Sequence, residues 1–195
     1  MKFKKCSRES YVYRKEEEGN LLIVAVYVDD LFVTGNTMDI IKAFKVGMLS
    51  KFEMSDLGRL TYYLGIEVKQ SKAGIEIKQE AYARRILKEA GLDACNPTHI
   101  LMEFGLNMSK RQEDEPEIDA TMYRRRIGCL RYLLHTRPDL SFAVGVLSRY
   151  MQAPKESHGQ VMKQVLRYLQ GTLAYGLKRK VVLRNLLATA TAAIM

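Results

Sequence analysis

The hydrophobic and polar positions of this chain change period several times, and each change marks an element. Leu21-Leu22-Ile23-Val24-Ala25-Val26-Tyr27 is a continuous, partly β-branched run, the pattern of a buried strand. Leu31-Phe32-Val33-Thr34 is a second run, ended by Gly35-Asn36, and only Val28-Asp29-Asp30 lies between, so a hairpin is predicted. Thr37 is placed to cap a helix over 38–50 with Ile40, Ile41, Phe44, Met48 and Leu49 on one stripe. After an irregular stretch from Phe52 to Gly58, Leu60 to Val68 reads as a strand. Ser71-Lys72-Ala73-Gly74 reads as a turn, and Gly74 to Lys78 as a returning strand. Gln79 to Ala90 is helical, with Tyr82, Ile86, Leu87 and Ala90 on one face and Gly91 as its stop.

Residues 93–120, with Pro97, Gly105 and Pro116, read as a boundary or linker, and the acidic cluster Glu113-Asp114-Glu115 within them as a solvated loop. Three helical segments follow. Thr121 to His135 carries Tyr123, Ile127, Leu130 and Leu134 inward. Pro138 opens a helix running to about Met151 with Val144, Leu147 and Met151 on one face. Glu156 to Gln170 buries Val161, Val165, Leu166 and Leu169 and ends at Gly171. The fold class expected is α+β.

Composition narrows the function. The 195 residues carry a net charge of +9, but residues 1–120 hold 18 basic and 20 acidic side chains, while residues 121–195 hold 13 basic and two acidic. An excess confined to the last third favours a polyanionic partner such as nucleic acid, with a solvated basic surface as the plain alternative. Cys6, Cys95 and Cys129 are scattered, which speaks against a disulfide framework and for a reducing, intracellular setting. The Cys95–His99 spacing lacks the second pair that a zinc site needs. No apolar run approaches the ~20 residues of a membrane span, and no signal-peptide core follows Met1-Lys2-Phe3-Lys4-Lys5. No GxSxG elbow or glycine-rich phosphate loop occurs. His135, beside an apolar stripe, and His158, at a helix start, read as structural, the second as a cap or surface residue.

The densest chemical signal is Tyr27-Val28-Asp29-Asp30. Taken alone, an adjacent Asp pair is more often an ordinary polar turn. Directly after a buried strand, however, two carboxylates repel and resist burial, and a divalent cation offsets both effects. Tyrosine, one small apolar residue and two Asp, framed by apolar strands, resembles motif C of reverse transcriptases. Further blocks are similar to the Ty1/copia retrotransposon branch. They include Phe52-Glu53-Met54-Ser55-Asp56-Leu57-Gly58, Tyr62-Tyr63-Leu64-Gly65-Ile66-Glu67-Val68, Arg137-Pro138-Asp139-Leu140-Ser141-Phe142-Ala143-Val144 and Leu166-Arg167-Tyr168-Leu169. The resemblance runs from about residue 20 to residue 178.

That resemblance implies a partial polymerase palm over 1–78, with the motif C hairpin and a primer-grip-like hairpin. A mostly helical, thumb-like region follows over 79–180, and residues 181–195 stay unassigned. It implies that Asp29 binds catalytic Mg2+, that Asp30 supports the site, and that Tyr27 and Val28 lie near the primer terminus. Leu64, Gly65 and Ile66 fall in the primer grip. Arg124, Arg125, Arg131, Lys163 and Arg167 become contacts to the backbone of an RNA or DNA template–primer, though Arg124-Arg125-Arg126 also reads as a solvated face.

The family places a further catalytic Asp in an earlier palm strand, and residues 1–28 contain no Asp. Glu9 and Glu16 to Glu18 lie in a charged stretch with no apolar strand to hold them. The expectation is therefore a fragment of a nucleotidyltransferase that does not polymerise alone and takes its missing palm portion as a partner. Strand 21–27 is expected to be left as an exposed apolar edge, making residues 1–35 marginal. The alternatives are a non-catalytic nucleic-acid-binding remnant, a product without function of its own, and a helical protein-interaction module.

Overall fold

The structure is a computed structural model that describes residues 3–71, 74–103, 115–179 and, as backbone, 187–193. Nine strands and five α-helices are described, in two compact units. The first unit comprises the described residues of Met1–Tyr63, Val68–Ile75 and Arg179–Met195. Its sheet has the order β1 (Lys4–Lys5), β2 (Val12–Glu17), β3 (Asn20–Tyr27), β4 (Asp30–Gly35), β9 (Leu187–Ala193), with every neighbouring pair antiparallel. Along β3 and β4 the side chains alternate, which an antiparallel sheet with one covered face requires. Leu22, Val24, Leu31 and Val33 point to one face and are buried with Ile41 and Phe44 of α1 (Met38–Leu49).

Thr37 is the residue before α1, as expected, but its side chain makes no capping hydrogen bond. Leu49, assigned to the inward stripe, is exposed, and Lys45 is buried instead. Lys45 Nζ donates to Asp56 Oδ1 at 2.7 Å. Burial works to raise the Asp56 carboxyl, but the Lys45 and Gly58 donors outweigh it and hold the group below its usual value.

Two expectations about this unit are overturned. β3 is not an unpaired edge: it lies between β2 and β4, in register from Val12↔Ala25 to Glu17↔Asn20 on one side and from Leu22↔Gly35 to Tyr27↔Asp30 on the other. The charged stretch holding Glu16 and Glu17 is itself a strand. Glu18 and Gly19, at φ 49° and 78°, form a two-residue turn of the left-handed kind that fits strand twist and folds that stretch back. Its charges suit a strand near a sheet edge, where Arg14–Glu16 and Lys15–Glu17 pair along the surface. Residues 187–193 of the unassigned tail add a strand to β4, and the rest of 181–195 lies outside the described residues.

The expected strand over Leu60–Val68 is two pieces, β5 (Tyr62–Tyr63) and β6 (Ile66–Ser71). Leu64 and Gly65, at φ 46° and 75°, break it. β7 (Gly74–Lys78) matches the expected return, the tip 72–73 lying outside the described residues. These strands and β8 (Gly176–Arg179) form a sheet ordered β5-β6-β7-β8.

The second unit comprises the described residues of Leu64–Glu67 and Glu76–Lys178. It contains α2 (Glu80–Glu89), α3 (Ala120–Leu133), α4 (Ser141–Leu147) and α5 (Glu156–Gly171). Ile86, Leu87, Ile127, Leu130, Leu133, Leu140, Val144, Leu147, Met162, Val165, Leu166 and Leu169 are buried in one cluster. Leu133 is fully buried and Leu134 packs half-buried against the same cluster, and short 3-10 turns at Pro138–Leu140 and Ser148–Tyr150 flank α4, so the segment 138–151 is not one helix.

Residues 93–120 are no boundary, since the described part lies within this unit. Glu115 accepts from Ser157 N at 3.0 Å and Ser157 Oγ at 2.7 Å, a carboxylate at the N-terminus of α5 rather than a solvated charge. Glu113 and Asp114 lie outside the described residues. Arg137 is 3% exposed and fully engaged. It donates to both Asp139 oxygens at 2.9 and 2.8 Å, and to Thr172 O at 2.9 Å and Thr172 Oγ1 at 2.7 Å. A buried guanidinium is stable only when paired and hydrogen-bonded in this way. The Arg137-Pro138-Asp139 motif thus ties the corner before α4 to the end of α5.

His158 is a cap, as expected, but wholly buried rather than at the surface. Its Nδ1 accepts from Lys155 N at 2.9 Å, and its ring stacks on Tyr150 at 3.9 Å. The accepting Nδ1 must be unprotonated, so protonation and capping exclude each other. Burial lowers the imidazole below its ordinary value, Lys155 adds to this, and Glu115 opposes it. A lowered value in the folded state means stability present above the ordinary imidazole value and lost as pH falls from there through the lowered folded value. Denaturant unfolding should therefore show stability declining as pH falls below the ordinary imidazole value of about 6.5. His158→Gln, which can keep the cap, should flatten that decline; an unchanged slope contradicts the assignment.

Candidate functional site

The β3–β4 connection is a two-residue loop, because Tyr27 pairs with Asp30 and only Val28 and Asp29 lie between. Asp30 is thus the first residue of β4 rather than part of the turn. Val28 has φ 50° and is 77% exposed. A β-branched side chain in the left-handed region is strained by roughly 1–3 kcal/mol, and this is a turn position where glycine is usual. Strain of this kind persists only where the flanking structure dictates it. Here the two strands and the α1 face beneath them fix the ends of the loop.

Both carboxylates are solvent-exposed. Asp30 shares a sheet face with Tyr27, its cross-strand partner, and with Phe32, opposite to the face covered by α1. Tyr63 meets both aromatics: its ring lies 6.4 Å from Tyr27, edge to face, and 6.1 Å from Phe32. Burial first, and then the negative charge of Asp30, raise the Tyr63 phenol above its ordinary value, so Asp30 lies within electrostatic reach of that hydroxyl. The apex therefore presents two exposed carboxylates on a short rigid turn with an aromatic wall along one side.

That donor set suits a hard divalent cation. Magnesium commonly takes one or two protein carboxylates and fills its remaining positions with water and substrate phosphates. Among the described residues no cluster of three or more His, Cys, Asp or Glu side chains occurs, so Asp29 and Asp30 fit such an ion as part of its shell only. Cys95 and His99 likewise belong to no such cluster.

The other sequence-selected residues lie in the second unit. Leu64 and Gly65 form the left-handed turn and Ile66 starts β6. Arg124, Arg125 and Arg131 are exposed on α3. Arg124 donates to Met151 O and Thr121 Oγ1, both at 3.3 Å, and Arg125 pairs with Glu89 at 3.1 Å. Exposed bonds of this kind contribute little to stability. Lys163 is exposed and, with Arg126, lines a groove of about 490 Å³ between α3 and α5. Arg167 is half-buried, and its Nε donates to Asn96 O at 2.8 Å. His135 is exposed at the end of α3, with Nδ1 2.8 Å from Tyr132 O.

Sequence reasoning missed the strain at Val28 and the role of Tyr132, whose hydroxyl donates to Leu64 O. The two-residue loop between apolar runs was a readable signal for the first. The second contact spans 68 residues and left no local pattern.

A family model described as "Reverse transcriptase (RNA-dependent DNA polymerase)" matches residues 1–104. An uncharacterized mitochondrial protein of Arabidopsis thaliana is 35% identical over 156 residues, covering 80% of this chain and 64% of that protein. The retrovirus-related Pol polyprotein from transposon RE2 of the same plant is 34% identical over 158 residues, or 81% of this chain and 11% of the polyprotein. That from transposon TNT 1-94 of Nicotiana tabacum is 30% identical over 168 residues, or 82% and 13%. The chain thus spans under two thirds of the first relative and about a tenth of the polyproteins. No solved structure matches.

Replacing Val28 by Asn, which tolerates the left-handed region, should raise the unfolding free energy by about 1 kcal/mol in urea. No gain would mean that the turn is not held at positive φ in solution.

Proposed function

The chain belongs to the reverse transcriptase (RNA-dependent DNA polymerase) family, and on that premise we propose that it is a C-terminal palm-and-thumb part of a Ty1/copia-type polymerase. The carrying observation is Tyr27-Val28-Asp29-Asp30 on a strained two-residue hairpin turn with both carboxylates open to solvent. In this reading Asp29 and Asp30 hold Mg2+. The ion would supply electrostatic stabilisation of the transferring phosphoryl group. The protein's own part is orientation: the sheet fixes the two carboxylates, and Tyr27 and Val28 stand at the apex beside the primer end. The Leu64–Ile66 turn grips the primer. Arg124, Arg125, Arg131 and Lys163 follow the phosphates of the template–primer, with Arg167 contributing on release from Asn96.

The domain reading follows: a partial palm over 1–78, a thumb-like region over 79–180, and a tail over 181–195 whose strand adds to the palm sheet. With two carboxylates in the site, the remaining palm portion acts as a partner, and the chain alone does not polymerise. The setting is intracellular, in keeping with three unpaired cysteines. Among the described residues no helix is long and apolar enough to cross a membrane.

A second reading is a non-catalytic nucleic-acid-binding protein. The exposed basic residues of α3 and α5 favour it, in a segment with 13 basic and two acidic residues.

Binding to a labelled primer–template should weaken steeply with salt, and Arg131→Ala should reduce the slope of log affinity against log salt by about 1. Binding without a salt slope sinks both readings. Adding the palm portion of a related Pol polyprotein, with Mg2+ and nucleotides, should give primer extension that Asp29→Ala abolishes. Extension by the chain alone contradicts its dependence on a partner, and no extension with the partner favours the second reading.

A further inference from the structure

The Leu64–Gly65 turn joins two strands, yet it is held by the helical unit. Residues Leu64–Glu67 group with 76–178 rather than with the residues on either side. Two attachments account for this. The Tyr132 hydroxyl, on α3, donates to Leu64 O. Glu67 Oε1 accepts from Ala81 N at 2.8 Å, in the first turn of α2, and Glu67 also lies 3.9 Å from Lys78 Nζ.

Gly65 shows how close the first attachment is. A Cβ there would stand 3.2 Å from the Tyr132 hydroxyl oxygen and 3.4 Å from its ring, on a backbone already at φ 75°. Tyr132 is itself oriented from both sides. Its ring packs edge to face on Tyr82 at 5.0 Å and on His135 at 5.3 Å, and Arg85 lies over the Tyr82 ring at 4.9 Å. The next residue back on α3 is the exposed Arg131. Leu64, the residue so held, is 41% exposed and has φ 46°, a conformation that a leucine does not hold unaided.

From this arrangement we propose that Tyr132 is a positioning residue for nucleic-acid binding. Through Leu64 O it fixes the Leu64–Gly65 turn in its left-handed form, so that helix α3 carries both a phosphate-binding arginine and the lock on the primer-gripping turn. The proposal rests on the polymerase reading for the identity of the ligand. The lock itself is a property of the chain and can be tested without it.

Tyr132→Phe removes the hydroxyl and keeps the ring contacts, so the melting temperature should fall by no more than about 2–4 °C. Backbone 15N relaxation should report Leu64, Gly65 and Ile66 as rigid in the wild type, with order parameters of about 0.85, and as loosened toward 0.6 or below in the variant. Affinity for a fluorescent primer–template hybrid should fall about fivefold, the loss expected from one hydrogen bond of ordinary net strength. The salt slope should stay the same because no phosphate contact is removed. Gly65→Ala, which crowds Tyr132, should weaken binding in the same way.

Unchanged order parameters overturn the lock. A loosened turn with unchanged affinity overturns the positioning role. If the wild type does not bind the hybrid at any salt concentration, the polymerase reading fails and takes the positioning role with it. The relaxation data then still decide whether Tyr132 holds the turn.

Discussion

Two like charges on adjacent residues can serve a metal only if the backbone beneath them does not yield, and that rigidity comes from the opposite face of the sheet. Leu22, Val24, Leu31 and Val33 are buried against Ile41 and Phe44, which places β3 and β4 in one register. A slip of a single residue in either strand would turn that strand's two core side chains to the opposite face. The register in turn leaves room for only two residues between Tyr27 and Asp30, and a loop that short forces Val28 to positive φ. The exposed carboxylates, the strained valine and the aromatic wall of Tyr27, Phe32 and Tyr63 all follow from the same apolar face.

The helical unit rests on a different kind of constraint, polar side chains that bridge its corners. Arg137 is held by Asp139 and Thr172. His158 caps α5 through a nitrogen that has to stay unprotonated, and Glu115 receives both donors of Ser157. These contacts fix the corners between helices, while the apolar stripes fill the space between them. Arg131 and Lys163, on the outer faces, can then meet a polyanion without disturbing the core.

How much of this was legible in the sequence depended on the range of the interaction. The hairpin, α1, α2 and the three later helical segments were readable because their apolar spacing is local. The Asp pair was readable because its neighbours in sequence frame it. β2 was not, since its charged residues mask a strand whose only signal is the Glu18-Gly19 turn. The break at Leu64–Gly65 was hidden within an apolar run, and the hydroxyl that holds it comes from 68 residues away. Glu115 looked like a surface charge because charge predicts exposure, and only tertiary partners override that rule. Asp29 lies in the hairpin loop and Asp30 opens β4, whereas the Arg167 side chain donates to a backbone carbonyl that no local pattern foretells.

The central claim is that the apex of the β3–β4 hairpin is a divalent-metal site. Titrating the full chain with Mn2+ in the presence of a primer–template and following backbone amide resonances tests it directly. The account predicts selective paramagnetic broadening at Tyr27, Val28, Asp29, Asp30 and Leu31, reversed by excess Mg2+ and lost in Asp29→Asn. Broadening spread evenly over the acidic surface, or unchanged in Asp29→Asn, would contradict it.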